Sequence, residues 1–241
     1  MFQTAGLFRS CLLSLVMALP AAADTLEEVE QKLIESYQKL KSYSARSKAV
    51  QDYQFGEGNG IKSESEGTIE WMRQDDKFLL RSEGKTSAVQ TMAGQQNKSE
   101  QKALTISDGQ FLYTLMEQGG EKTAYKRKAE PSMIGDARSL LEGLRAEHVI
   151  KVLSDETVDG QACYVIEATP RESQAGMAST QMLYFRKDVG INIKTVVLDQ
   201  NKKAVLVSTL SELKINPDIN AERFVFKVPE GVPVTDLNQQ P

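Results

Sequence analysis

The sequence predicts an α+β protein, mainly β: a single, strongly curved antiparallel sheet covered by helices on its concave side. Three observations lead there. Apolar and polar residues alternate with period two through most of the chain from Tyr43 onward. Turn signals such as Asp108-Gly109, Gly119-Gly120 and Asp159-Gly160 punctuate the alternation. One amphipathic helix pattern precedes the first strand. About ten strands joined by hairpins tend to curl or close, and an apolar helix stripe needs a sheet face to cover it. Two stacked sheets are the competing arrangement.

Residues 1–23 read as a cleaved signal peptide. Arg9 gives a positive start, and Cys11–Leu19 is an apolar run shorter than the roughly 20 residues of a membrane span. Ala21-Ala22-Ala23 supplies the small residues of a cleavage site. An uncleaved anchor is the competing reading, against which the short run counts. Removing 23 of 241 residues leaves 218, expected to form one domain over 24–241 in the periplasm. Loss of Arg9 takes the net charge from −4 to −5. Acids and lysines are interspersed, so nucleic acid is not an expected partner. Cys163 alone remains after cleavage, which excludes an intramolecular disulfide. Its apolar strand context makes it a buried small hydrophobe.

Leu26, Val29, Leu33, Tyr37 and Leu40 follow helical spacing, with Ile34 widening the stripe. Thr25 and Glu28 suit a capping box, and late Lys39 and Lys41 suit the helix dipole. Strands are expected at Tyr43–Phe55, Ile61–Arg73, Lys77–Glu83 and Lys85–Met92. Ala93–Lys102 is polar and glycine-bearing and reads as an exposed loop. Leu104–Ile106, Phe111–Met116 and Thr123–Lys128 follow as short strands. Pro131–Glu147 carries a second, inserted helix pattern. His148–Leu153, Gln161–Thr169, Gln181–Lys187, Ile191–Leu198 and Ala204–Ile215 complete the meander, with Pro170–Ser179 as a polar loop. Near the C-terminus, Phe224, Phe226 and Val228 alternate with Val225 and Lys227 before Pro229-Glu230-Gly231, the pattern of a closing strand and its stop.

No catalytic constellation is visible. His148, the sole histidine, sits at the start of an apolar strand. There is no metal-ligand spacing, no G-x-S-x-G elbow, and Gly56-Glu57-Gly58-Asn59-Gly60 joins two strand patterns instead of opening a helix. Asp75-Asp76 and Asp155-Glu156 stand in turn-like contexts. Without a nucleophile, base or metal to nominate, an enzyme is not expected, nor any cofactor. A shaped apolar cavity is all a binding protein requires.

Four motifs, in order, carry a family likeness: Leu40-Lys41-Ser42-Tyr43-Ser44-Ala45, Gly67-Thr68-Ile69-Glu70-Trp71-Met72-Arg73, Ile106-Ser107-Asp108-Gly109-Gln110-Phe111-Leu112-Tyr113 and Phe224-Val225-Phe226-Lys227-Val228-Pro229-Glu230-Gly231-Val232. Together they resemble the bacterial periplasmic lipoprotein-carrier superfamily typified by LolA, and span nearly the whole chain after the leader. The resemblance implies an unclosed half-barrel under a helical lid, with acyl chains held between them. It implies as partners a lipid or an acylated lipoprotein, and inner- or outer-membrane proteins that hand over or accept the cargo, with the chain itself a monomer. It also implies a second-strand arginine that bonds the lid backbone in the closed state and bears on release; Arg73 stands at that position, followed by Gln74 where the family has proline. The residues expected to line a ligand cavity are Leu33, Tyr37, Ile69, Trp71, Leu79, Phe111, Tyr113, Tyr184, Phe224 and Phe226, with Val165 and Val196 beside them. A protein-binding regulator on the same fold is the alternative function, and a hydrolase ranks last.

Overall fold

The structure, a computed structural model, describes residues 24–129, 137–171 and 179–239. The expected leader, the start of the second helix and most of the Pro170–Ser179 loop lie outside these residues.

Helix α1 (Leu26–Gln38) begins at the expected capping box: Thr25 accepts from the Glu28 N–H, and the Glu28 carboxylate accepts from the Thr25 N–H. Val29, Leu33 and Tyr37 form its buried stripe. The helix stops at Gln38, so Lys39 and Lys41 fall beyond it and its last turn carries no basic residue of its own. Strands β1 (Ser42–Gln54), β2 (Gly60–Gln74), β3 (Lys77–Met92), β4 (Gln95–Ser107), β5 (Phe111–Gln118) and β6 (Glu121–Lys128) follow as successive hairpins. After helix α2 (Ala137–Glu147) come β7 (His148–Val158), β8 (Gln161–Pro170), β9 (Thr180–Arg186), β10 (Asn192–Leu198) and β11 (Ala204–Ile215). A short 3-10 turn, Ala221–Phe224, leads to β12 (Val234–Asp236).

All twelve strands form one sheet in the order β12-β6-β5-β4-β3-β2-β1-β11-β10-β9-β8-β7. Pairing is antiparallel throughout except between β12 and β6. The pairing of β1 with β11 joins the two halves, and the end strands β7 and β12 do not meet, so the sheet is an unclosed half-barrel.

Three expectations are corrected. Ala93–Lys102 is not a loop. Ala93 (φ 49°) and Gly94 (φ 78°) form a two-residue hairpin turn, and β4 pairs with β3 from Gln95 to Ser107. Polarity on both faces hid a strand whose ladder holds it regardless of burial. The stretch Phe224–Val228 is not a strand: it forms no ladder, ends the 3-10 turn and runs across the sheet face, with Val228 exposed. Lys77–Met92 is one strand, not two.

Ladder register assigns side chains to faces, since directly opposed residues point the same way. In β1–β4 one face carries Tyr43, Trp71, Leu80 and Ser107 as one row. The other carries the row Glu70, Arg81, Ile106 and Tyr113. Helix α1 lies on the first face, where the Tyr37 ring meets Trp71 at 5.2 Å. The same face of the far half packs Tyr164, Ile166, Leu183 and Phe185 with Val29 and Leu33 of α1 and Leu141 and Leu144 of α2. The C-terminal segment lies on the second face. The Arg223 Nε–H donates to the Glu70 carboxylate at 2.7 Å, and Phe226 stacks on Tyr113 at 5.0 Å.

Candidate functional site

A cavity of about 230 Å³ lies between the helices and the sheet. Tyr37 of α1 and Leu140 of α2 border it from above, and Tyr43, Ile69, Phe185, Thr195, Ser208 and Leu210 from the sheet. The β9–β10 hairpin closes one side with Gly190, Ile191, Asn192 and Ile193. One wall is thus aliphatic and aromatic. The other carries hydroxyl and amide groups and Lys194; among them is Asn192, whose Nδ2 donates to Thr195 Oγ1 at 2.8 Å.

The end of α1 is held from the sheet. Arg73 Nη2 donates to the Tyr37 carbonyl at 3.2 Å and Nη1 to the Gln38 carbonyl at 3.1 Å. Both are among the four carbonyls that a helix C-terminus leaves without an intrahelical partner. A cation there also opposes the negative end of the helix dipole. Because α1 brings no base of its own to this turn, Arg73 supplies the charge from β2. Its guanidinium lies 5.4 Å from the Phe78 ring centre and 5.9 Å from those of Tyr37 and Trp71. Trp71, fully buried, stacks between Tyr43 and Phe78, each at 5.7 Å.

The other end of the cavity rests on the β9–β10 turn. Gly190 (φ +68°) comes so close to α1 that a Cβ there would lie 2.6 Å from the Leu33 carbonyl oxygen. The Ser36 hydroxyl donates to the Lys187 carbonyl at 3.3 Å. Arg186 grips Asp188 with two hydrogen bonds, 2.9 and 2.5 Å, and these hold the Asp188 carboxyl below its ordinary pKa.

The residues singled out from the sequence divide between the two faces. Leu33, Tyr37, Ile69, Trp71 and Arg73 come together beneath and around α1; of these, Tyr37 and Ile69 border the cavity. Leu79, Phe111 and Tyr113 point to the opposite face by register, where Phe224 is buried and Phe226 stacks on Tyr113. Tyr184 opposes Val165 and Lys194, and with Val196 belongs to that second face of the far half. The Lys194 ammonium lies 4.8 Å from the Tyr184 ring centre. Phe185 and Leu210 border the cavity and were not singled out; their alternation was visible, but their side of the sheet was not. Cys163 is fully buried, and burial pushes its thiol pKa up.

Beyond Ile69 the helix face of β1–β4 continues past the end of α1. One row across the strands is Ser47, Gly67, Gly84 and Ala103. The next is Ala49, Ser65, Thr86 and Gln101, then Gln51, Ser63, Ala88 and Ser99. The reverse side of the same strands is charged: Lys48, Glu66, Lys85 and Lys102 form a single row. Among the described residues no group of three or more His, Cys, Asp or Glu is placed to hold a metal ion. No helix there is long and apolar enough to cross a membrane.

An unclosed half-barrel with helices on one face is the architecture of this chain, and its fold is similar to solved structures. No protein-family model and no curated protein matches the sequence. An uncharacterized conserved protein from Thermus thermophilus matches with a TM-score of 0.51 at 11% identity, over 86% of this chain and 98% of that one. MucB matches with a TM-score of 0.47 at 15% identity, over 86% of this chain. The chain spans 64% of MucB's length. The Mycobacterium tuberculosis lipoprotein LppX matches with a TM-score of 0.40 at 12% identity, over 80% of this chain and 96% of LppX. At these identities the likeness is one of fold.

Proposed function

We propose that the chain is an exported, non-catalytic binding protein of the cell envelope that shelters lipid or lipoprotein acyl chains between α1 and the sheet. The observation that carries this reading is the cavity under α1, roofed by a helix whose end is tied to the sheet by Arg73. At about 230 Å³ the cavity is smaller than the roughly 300–1,000 Å³ of small-molecule sites, which fits a closed state. Lifting α1 exposes Ile69, Tyr43 and Leu210 to an incoming chain, and each buried CH₂ contributes about 0.8 kcal/mol. Arg73 is then the latch: opening breaks two bonds to backbone carbonyls without uncovering an unpaired charge, since the guanidinium can turn to water.

The test begins with organic extraction of natively purified protein and mass spectrometry of the extract. A fluorescent fatty-acyl probe is then titrated, with Trp71 emission as the readout. Co-purifying lipid and saturable probe binding are expected, with faster probe release from Arg73→Leu. Protein that carries no lipid and binds no acyl probe sinks the proposal. A second reading, a regulator that binds another envelope protein, is favoured by the small cavity and by the Tyr37, Tyr43, Trp71 and Phe78 rings that fill the space beside it. A stoichiometric complex with a membrane partner, formed without acyl ligand, selects it.

A further inference from the structure

The neutral extension of the helix face has a consequence for which ligand the cavity accepts. Solvent-facing strand positions ordinarily carry charges of both signs, and the reverse face of β1–β4 does, with pairs such as Lys48–Glu64 at 2.5 Å and Lys62–Asp52 at 3.2 Å. On the helix face of these strands, Arg73 is the single charged side chain, and its charge is spent on α1. What remains is hydroxyl, amide, alanine and glycine. Ser65 and Thr86 bond each other across the strands at 2.8 Å. At Gly67 and Gly84 the strands approach so closely that a Cβ would lie 2.4 Å from the Glu83 oxygen or 2.7 Å from the Glu66 oxygen, so the floor beside Ile69 holds no side chain. These positions are half-buried although no helix or strap covers them among the described residues. The trough is continuous with the cavity, because Ile69 and Ser208 border the cavity and lie one step from Gly67 and Ala49 on the same face.

An anionic headgroup laid here loses hydration and meets no free cation in return: Arg73 is bound to α1, and Lys194, which also borders the cavity, carries its ammonium over the Tyr184 ring on the reverse face. A hydroxyl finds both donors and acceptors. We propose that the trough receives the uncharged, hydroxyl-bearing headgroup of an amphiphile whose acyl chain enters the cavity beneath α1, so that the site selects neutral over anionic amphiphiles. This rests on the acyl-binding reading above and names its ligand class.

The experiment compares two amphiphiles with the same twelve-carbon chain, dodecyl maltoside and dodecyl phosphate, below their micellar concentrations. Each competes with the fluorescent acyl probe on the full chain. The maltoside is expected to bind at least about tenfold more tightly. Equal binding, or tighter binding of the phosphate, overturns the neutral-headgroup inference and leaves the acyl-chain reading standing. If neither displaces the probe although the probe binds, the inference is likewise overturned; if the probe itself does not bind, both fall. Thr86→Lys, or Ser99→Lys should the first not fold, is expected to narrow the preference by strengthening phosphate binding. Ser87→Lys, on the charged face, is expected to leave it unchanged. An equal shift from both faces means bulk charge and overturns the assignment.

Discussion

Trp71 shows how much one side chain does at the junction of helix and sheet. It is fully buried and touches rings from α1, β1 and β3. Trp71→Ala removes all three contacts and leaves a void that rigid strands cannot collapse, at a cost of about 3–5 kcal/mol; chemical denaturation should show it as a lower midpoint. Gly190 works in the opposite way, by having no side chain. Its positive φ and the 2.6 Å separation expected for a Cβ from the Leu33 oxygen leave alanine no room. Gly190→Ala is expected to cost about 1 kcal/mol or more and to raise amide exchange in α1 before that of the sheet. The alternation of Trp71 with its neighbours was legible in the sequence. The role of Gly190 was not, because it depends on a helix far earlier in the chain, at Leu26–Gln38.

Helix α1 was legible as an element, down to its capping box, because the Thr25 and Glu28 bonds are local. Its other end was not. Without a base in its last turn, it takes Arg73 from β2 and rests on the β9–β10 hairpin. That hairpin carries a pH dependence. Because the Arg186 hydrogen bonds lower the folded-state pKa of Asp188, their contribution is complete above the unfolded pKa of about 3.9 and fades as pH falls through the lower folded value. Asp188→Asn should therefore destabilise at pH 7 by no more than about 1 kcal/mol, since the pair is largely solvent-screened. The gap from the parent protein should close in acid. Thermal melts of both proteins from neutral pH down to strong acid measure it; a gap that widens on acidification contradicts the assignment.

At the scale of the molecule, the sheet is sandwiched: helices on one face and the C-terminal segment on the other. The segment anchors through Phe224, 2% exposed, and ends in β12, which pairs with β6 over Val234–Asp236. The Asn238 carboxamide oxygen accepts from the Lys128 N–H at 2.9 Å, extending the cover on that edge. Phe224→Ala is expected to cost about 3–5 kcal/mol if the segment stays docked, and less if it detaches and hydrates. Detachment would uncover β6, and an open edge invites pairing with another copy. Faster amide exchange in β6 and a concentration-dependent rise in apparent mass by light scattering are the expected signs. Unchanged exchange in β6 would show that β12 holds without its anchor.

The sequence by itself determined helix α1, most of the strands and their order, most of the hairpin turns and the one-sided apolar character of those strands, because period-two patterning and turn residues act over a few neighbours. It also carried the absence of charge, Arg73 apart, at alternate strand positions from Ser47 to Ser99, unread until a face could be assigned. Only the tertiary structure decided which parity faces which side. It separated Leu79, Phe111 and Tyr113 from Ile69 and Trp71, laid Phe224 and Phe226 on the reverse face, and aimed Arg73 at the end of α1. The physical reason is that alternation fixes opposite directions for successive side chains but says nothing of what covers each side; that is set by long-range docking of the helix and the C-terminal segment.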